Sequence, residues 1–127
     1  MKTARILIID DDIAHLSSTR GLLEAEGYEV FIHTQAFGAT NLAADLQPNL
    51  ILLDVNMPGL SGENLLSVLR ANARTRAIPV VFYSSNDEDT LRGAVSRLGA
   101  HGYISKGSIA SLRQKVASYL KSQPVAR

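Results

Sequence analysis

The fold is decided by residues 6–12, which read ILIIDDD. Four consecutive branched apolar residues have the length of a strand, and a strand that is apolar on both faces is typical of the centre of a parallel sheet covered by helices. The apolar run stops at Asp10, so three acids follow the carboxyl end of this strand. We therefore expect a buried first strand with acidic side chains at its carboxyl end.

Four further apolar runs of strand length follow, and segments with helical periodicity separate them. The additional strands are predicted at residues 28–32, 50–53, 80–83 and 103–105. The helices are marked by apolar stripes within residues 13–23, 37–46, 65–69, 91–98 and 109–120. Candidate helix ends agree with these positions, with Gly27 and Gly99 as C-terminal caps and Ser61, Asn86 and Ser108 as N-terminal caps.

Five strands that are each followed by a helix predict an α/β fold with a single doubly wound parallel sheet and helices on both faces. The second run carries Glu29 and leads into His33, and the fifth run is short, so both suit the edges of the sheet. The expected strand order is 2-1-3-4-5, as in flavodoxin-like folds. At 127 residues the chain has room for one domain. We assign residues 1–121 to that domain and residues 122–127 to a short C-terminal tail.

The composition is that of a globular protein, with 46% hydrophobic and 20% charged residues. A net charge of +1 gives no overall field that would hold nucleic acid. There is no cysteine, which excludes disulfides, a thiol nucleophile and zinc–thiolate sites and suits a reducing compartment. No signal peptide is apparent, and no apolar run approaches the roughly 18 residues of a membrane span. We expect a cytoplasmic protein without membrane insertion.

Polar residues that end the predicted strands indicate a site. In open sheets of this type, ligands bind beyond the carboxyl ends of the strands, where the strand order reverses. Strand one ends in Asp10 and Asp11, strand three in Asp54, strand four in Ser84 and strand five in Lys106. Crowded carboxylates repel each other, and a divalent cation relieves the repulsion.

The donor types favour Mg²⁺ as that cation. Oxygen ligands that are few in number suit Mg²⁺ better than a Ca²⁺ cage, and the acidic stretch lacks the alternating ligands and the central glycine of an EF-hand loop. A zinc site is disfavoured because the chain has no cysteine and its histidines are scattered along the sequence. With such a cation, Asp54 could attack a phosphorus atom while Lys106 and Ser84 stabilise the phosphoryl oxygens. The product would be an aspartyl phosphate.

These elements resemble the receiver domain of bacterial two-component response regulators, of the chemotaxis-regulator type. The matching stretches cover nearly the whole chain in the family's order, and they lie at residues 6–11, 52–62, 80–85 and 102–106. The resemblance implies a phosphoacceptor switch rather than a metabolic enzyme, one that assists its own phosphorylation and dephosphorylation. Its implied partners are a histidine kinase or a histidine phosphotransfer protein upstream, and a downstream protein effector or an effector domain outside this chain.

The resemblance also implies a role for individual residues. Asp54 is similar to the phosphoacceptor and to a Mg²⁺ ligand, Asp11 to a direct ligand, and Asp10 to a ligand that acts through water. Asn56 is similar to the residue whose backbone carbonyl completes the metal site, and Lys106 and Ser84 resemble the phosphate-sensing pair. The remaining implied roles are the aromatic switch at Tyr103, donor access at Ser85, and control of phosphoryl hydrolysis at Asn56 and Asn86.

The chain departs from the family pattern at Gly107, where the family usually has a proline, so we expect a looser turn after strand five. Asp12 fits the start of a helix better than a metal ligand. His15, His33 and His101 are assigned no role. The basic residues of the last two helices are interpreted as solvated, on a surface where receivers commonly meet partners; they are Arg92, Arg97, Arg113 and Lys115.

Three other functions agree less well with the sequence. The alternative from the enzyme class is a phosphatase or phosphotransferase of the haloacid-dehalogenase-like type, which also forms an aspartyl phosphate. Such enzymes need a second acid two residues after the nucleophile, where this chain has Asn56. A dinucleotide-binding domain lacks its glycine fingerprint after strand one, and a DNA-binding regulator lacks residues for a helix-turn-helix after the fifth helix.

Overall fold

The computed structural model describes residues 3–56 and 62–121. Strands and helices alternate along the chain. The strands are β1 (Arg5–Ile9), β2 (Glu29–His33), β3 (Leu50–Leu53), β4 (Val80–Ser84) and β5 (Gly102–Ser105). The helices are α1 (Ile13–Ala25), α2 (Ala39–Leu46), α3 (Gly62–Ala71), α4 (Glu88–Leu98) and α5 (Ile109–Lys121).

The strands form one parallel sheet in the order β2-β1-β3-β4-β5, as the sequence predicts. Strand β3 is wholly apolar and β1 is apolar after Arg5; both lie inside the sheet and are buried along almost their whole length. The less buried strands, β2 and β5, lie at the two edges. The order reverses between β1 and β3, so the carboxyl ends of these two strands flank the expected ligand site.

Side chains alternate between two apolar layers, one on each face of the sheet. One layer packs against α2, α3 and α4 and includes Leu7, Ile51 and Phe82. The other packs against α1 and α5 and includes Ile8 and Tyr83. Both faces of the sheet are therefore covered, which explains the near-continuous apolar character of the central strands. Among the described residues, no helix has both the length and the apolar character needed to cross a membrane.

The helix ends agree with the sequence in most places. Asp12 caps α1 by accepting a hydrogen bond from the His15 N–H at 3.2 Å, and Gly99 ends α4 with a left-handed φ of 80°. The prediction that Asn86 caps α4 is wrong, because Asp87 is the cap and accepts the Thr90 N–H at 2.8 Å.

Other boundaries lie one or two residues from the prediction. Glu26 caps α1 at its C-terminus and Gly27 follows it, with a φ of 96°. Ser108 precedes α5, and its hydroxyl accepts the Ser111 N–H at 3.2 Å. Helix α2 begins at Ala39, after the predicted start at residue 37. The predicted cap Ser61 and the predicted tail, residues 122–127, lie outside the described residues, and the division into residues 1–121 and 122–127 stays a prediction.

Candidate functional site

Asp10 and Asp54 lie close together because each directly follows one of two neighbouring strands. The Asp54 backbone N–H donates to the Ile9 carbonyl at 3.0 Å, which extends the ladder between β1 and β3 by one residue. Asp10 is fully buried, and Asp54 is only 6% exposed. Two carboxylates are thus held at the edge of an otherwise apolar interior, where leaving them unpaired would be costly.

Asp11 adds a third carboxylate to this pair. One oxygen from each of Asp10, Asp11 and Asp54 can be chosen so that all three lie within 4.8 Å of one another. Asp11 is exposed, so the cluster is open to solvent on its side. Carboxylate oxygens with one side open to water match the preferences of Mg²⁺. The residues present therefore fit a divalent cation held by oxygen ligands.

Lys106 brings a positive charge to the same pocket. Its Nζ lies 2.6 Å from Asp10 Oδ2 and 3.5 Å from Asp54 Oδ2. The other oxygen of Asp10 accepts the Asp12 N–H at 3.0 Å. Asp10 Oδ2 is buried, and the Lys106 ammonium is its charged partner.

Burial and neighbouring charges shift the pKa values of Asp54 and Lys106. Burial raises the pKa of Asp54 and outweighs the Asn56 N–H and the Lys106 charge, which lower it, while the charge of Asp10 adds to the rise. For Lys106, burial alone would lower the pKa, but the hydrogen-bonding and charge interactions with Asp10 and Asp54 raise it overall. These shifts favour the charged form of Lys106 and make ionisation of Asp54 less favourable than in water. A divalent cation beside Asp54 would favour its ionised form.

Ser84 is the last residue of β4 and is fully buried. Its hydroxyl oxygen accepts hydrogen bonds from Asn56 Nδ2 and from the Asn86 N–H, both at 3.2 Å. Asn56 Nδ2 also donates to Asn86 Oδ1 at 2.7 Å, and the Asn56 N–H donates to Asp54 Oδ1 at 3.0 Å. Asn56 therefore links the acidic cluster to the loop after β4.

Tyr103 lies in β5 with its ring half-buried at the surface between α4 and α5. Its hydroxyl donates to Glu88 Oε1 at 3.1 Å. Lys115 Nζ lies 4.7 Å from the centre of its ring, within the range of a cation–π contact. Tyr103 is thus contacted by one residue from each flanking helix. Lys115, interpreted from the sequence as solvated, is only partly exposed and also packs on the Tyr103 ring.

Strand order and site geometry agree with one known family. A family model described as the response regulator receiver domain matches residues 6–117. The chain belongs to this family. Receiver domains are signalling modules of two-component systems, so the resemblance in the sequence is confirmed at this level.

Known proteins resemble this receiver domain over most of its length. The protein PilH of Pseudomonas aeruginosa is 34% identical over 103 residues, which cover 81% of this chain and 85% of PilH. The polar-differentiation response regulator DivK of Brucella ovis is 32% identical over 123 residues, which cover 93% and 97% of the two chains.

A solved structure shares the fold. It is the receiver domain of the sensor histidine kinase PA1611 from Pseudomonas aeruginosa, described with a magnesium ion coordinated in its active-site cleft. The TM-score is 0.84 at 22% identity, and the match covers 95% of this chain and all of the other. At this identity the likeness supports the fold.

The structure brings the main predicted site residues of this receiver domain together, namely Asp10, Asp11, Asp54, Ser84 and Lys106. Asn56 is adjacent to them, and coordination of a metal by its backbone carbonyl stays a prediction. Ser85 follows Ser84 and is exposed. The Tyr103 hydroxyl is bonded to Glu88 of α4 in this structure, and a movement of the ring toward Ser84 stays a prediction.

The sequence did not predict a polar network around Tyr83, which lies on the face of β4 opposite to Ser84. The Tyr83 hydroxyl lies 2.8 Å from His15 Nε2 and 3.1 Å from Thr19 Oγ1. His33 and His101 also have partners, namely the Phe37 carbonyl and the Val80 N–H. The signal available for the first network was a tyrosine in a fully apolar strand, because a buried tyrosine hydroxyl needs a hydrogen-bonding partner.

Proposed function

We propose that this receiver domain accepts a phosphoryl group on Asp54 with the help of Mg²⁺, and that the modified domain binds a partner differently from the unmodified one. The observation that carries the proposal is the charge arrangement at one edge of the sheet. Asp10, Asp11 and Asp54 lie within 4.8 Å of one another, and the ammonium of Lys106 lies 3.5 Å from Asp54. A nucleophilic carboxylate, a metal site and a cation are the groups that phosphoryl transfer to an acid requires.

In this proposal Mg²⁺ is held by the side chains of Asp11 and Asp54 and by the backbone carbonyl of Asn56, with Asp10 acting through water. The cation supplies positive charge next to the transferring group when it is bound. The closeness of the three carboxylates and the open side at Asp11 support this arrangement.

The transfer itself forms one bond and breaks one. An oxygen of the Asp54 carboxylate attacks phosphorus, and the bond from phosphorus to the imidazole nitrogen of a phosphohistidine breaks. The electron pair of the broken bond stays on that nitrogen, which takes up a proton from water and restores the neutral imidazole. The Lys106 ammonium and the Ser84 hydroxyl are placed to bind the phosphoryl oxygens as charge redistributes among them. Attack by water on the aspartyl phosphate then restores the Asp54 carboxylate and releases inorganic phosphate.

The proposed partners follow from this chemistry. The donor is a histidine kinase or a histidine phosphotransfer protein, and the recipient of the signal is a protein effector or an effector domain. The role is that of a switch rather than a metabolic enzyme, since Asn56 stands where a phosphatase of the alternative type would need an acid. An amide cannot supply the proton for a leaving group. Cytoplasmic localisation remains a prediction.

The test is phosphorylation by a small donor. Incubation of the wild-type chain with acetyl phosphate and Mg²⁺ should add one phosphoryl mass in an intact-mass spectrum, and chelation of the metal should prevent it. Asp54→Asn should gain nothing. Asp45→Asn is the matched control, because Asp45 is exposed near the end of α2, which leads into the amino end of β3, whereas the cluster lies beyond the carboxyl ends of the strands. Equal modification of Asp54→Asn and of the wild type would contradict the proposal.

A further inference from the structure

Tyr83 connects the pocket to α1. It precedes Ser84 in β4, and its side chain points to the face of the sheet that α1 and α5 cover. The residue is only 3% exposed. Its hydroxyl contacts two side chains of α1, those of His15 and Thr19, at 2.8 and 3.1 Å. Because a tyrosine hydroxyl can both donate and accept, one contact can be of each kind.

The ring of Tyr83 lies beside Lys106. Lys106 Nζ is 5.6 Å from the ring centre, within the distance at which an ammonium is attracted by an aromatic face. The same ammonium contacts Asp10 and Asp54. The side chain of Lys106 is only 13% exposed, so little water competes for the charge.

The turn that follows Lys106 provides little restraint of its own. Gly107 has a φ of 102°, which a proline, with φ fixed near −65°, could not adopt. A cavity of about 280 Å³ lies against the turn, and Tyr83, Gly107 and Leu112 are among the residues that line it. The backbone after Lys106 is therefore neither stiffened by a proline nor tightly packed on that side.

From these contacts we infer that Tyr83 is a positioning residue for Lys106. The ring holds the ammonium toward Asp10 and Asp54, and the contacts with His15 and Thr19 hold the ring. This inference rests on the proposed phosphoryl transfer, in which Lys106 must meet the phosphoryl oxygens. Helix α1 therefore helps to position the ammonium of Lys106, the residue that directly follows β5.

Three single variants test the inference. Tyr83→Leu removes the ring, whereas Tyr83→Phe keeps the ring and removes both hydroxyl contacts. Phe82→Leu is the matched control, because it removes a fully buried ring from the neighbouring position of β4 on the opposite face of the sheet. The first readout is the NMR shift of the Lys106 side-chain methylene protons in the unphosphorylated protein. The second is the rate of phosphorylation by acetyl phosphate, measured with the affinity for Mg²⁺.

We expect the Lys106 methylene protons to show a ring-current shift that Tyr83→Leu abolishes and that Tyr83→Phe largely keeps. Tyr83→Leu should slow phosphorylation by about threefold to tenfold, a factor that corresponds to the loss of one partly desolvated cation–π interaction. The affinity for Mg²⁺ should not change. Tyr83→Phe should restore at least half of the lost rate. Phe82→Leu should alter neither the shift nor the rate.

The inference is overturned if Tyr83→Leu leaves the methylene shift in place, or if Phe82→Leu slows phosphorylation equally. These outcomes differ from a failure of the proposed function. If Asp54 accepts no phosphoryl group, the wild type gives no rate at all, while the NMR shift still reports whether Tyr83 positions Lys106.

Discussion

Lys106→Met is the change that tests the electrostatics of the pocket most directly. The substitution keeps an apolar stem of similar length and removes the ammonium that faces Asp10 and Asp54. Asp10 is fully buried, so it cannot recover hydration when its ion-pair partner is lost. We expect the loss to be much larger than that of an ordinary surface lysine.

The size of the effect follows from the distances. At an effective dielectric of about 20, the attraction of Lys106 to Asp10 at 2.6 Å is about 6 kcal/mol, and its attraction to Asp54 at 3.5 Å is about 5 kcal/mol. The desolvation of the lysine offsets several kcal/mol of this attraction. Removal of one partner from a buried pair costs roughly 3–5 kcal/mol, and we expect a loss of this size in the free energy of unfolding at pH 7.

The pH dependence has a definite sign. The pKa of Asp54 is already raised above its ordinary value, mainly by burial, and loss of Lys106 raises it further. A carboxyl with a raised pKa binds more protons in the folded state, so stability falls as pH rises through the interval between its unfolded and folded pKa values. The cost of Lys106→Met should therefore shrink when the pH is lowered from 7 toward 5. Added Mg²⁺ should stabilise the variant more than the wild type, because the variant pocket is more negative.

The assay is urea unfolding at two pH values, with and without Mg²⁺. Lys121→Met is the control, because Lys121 is exposed at the end of α5 and its loss should change stability by less than about 0.5 kcal/mol. The reasoning is refuted if Lys106→Met and Lys121→Met have the same stability at pH 7. It is also refuted if the cost of Lys106→Met grows as the pH falls.

Two further predictions concern His101, at the amino end of β5, and the packing of Gly102 in β5. His101 Nδ1 accepts the Val80 N–H at 3.3 Å, and burial together with the charge of Arg70 lowers the pKa of His101. The neutral imidazole is therefore favoured in the folded state, and its contribution to stability is lost as the pH falls below about 6.5. Urea unfolding at pH 5.5 and 7.5 should show a lower free energy of unfolding at pH 5.5, and the difference should be smaller in His101→Asn than in the wild type. An equal difference in the two proteins would contradict this prediction. Gly102→Ala would place a Cβ 2.8 Å from Tyr119 Cε1, so it should cost about 1–3 kcal/mol in thermal or urea unfolding. Tyr119→Leu in the same chain should recover part of that cost, and simple additivity of the two losses would count against the proposed clash.

The fold was predictable because local patterns and tertiary packing agree. The all-apolar runs of β1 and β3 required cover on both faces, and the polar residues of β2 placed it at an edge. The boundaries were less accurate. Asp87 rather than Asn86 caps α4 because neighbouring residues of similar type compete for the cap, and backbone direction decides between them.

The site was predictable wherever a residue ends a strand. Asp10, Asp54 and Lys106 come together because the carboxyl ends of parallel strands meet at one edge of the sheet. The contacts of Tyr83 could not be read in the same way. A tyrosine in a buried strand predicts that some hydroxyl partner exists, but only the packing of α1 shows that the partners are His15 and Thr19.

The links around Ser84 suggest how phosphorylation would reach the surface. In this structure Ser84 Oγ accepts from Asn56 and from the Asn86 N–H, and the next turn of chain begins α4. If the Ser84 hydroxyl turns to a phosphoryl oxygen on Asp54, these two contacts weaken, at about 1 kcal/mol each. A charge-assisted hydrogen bond of roughly 1.5–3 kcal/mol replaces them.

The resulting balance is small compared with the roughly 5.5 kcal/mol that converts a 1:99 population into 99:1. Ser84 alone therefore cannot drive a complete switch, and the remaining free energy must come from Lys106 and from contacts that a partner makes. The hydrogen bond from Tyr103 to Glu88, in the first turn of α4, opposes any inward movement of Tyr103. We therefore expect the rearrangement at Ser84 to supply only part of the shift in this receiver domain, with Lys106 and the binding partner supplying the rest.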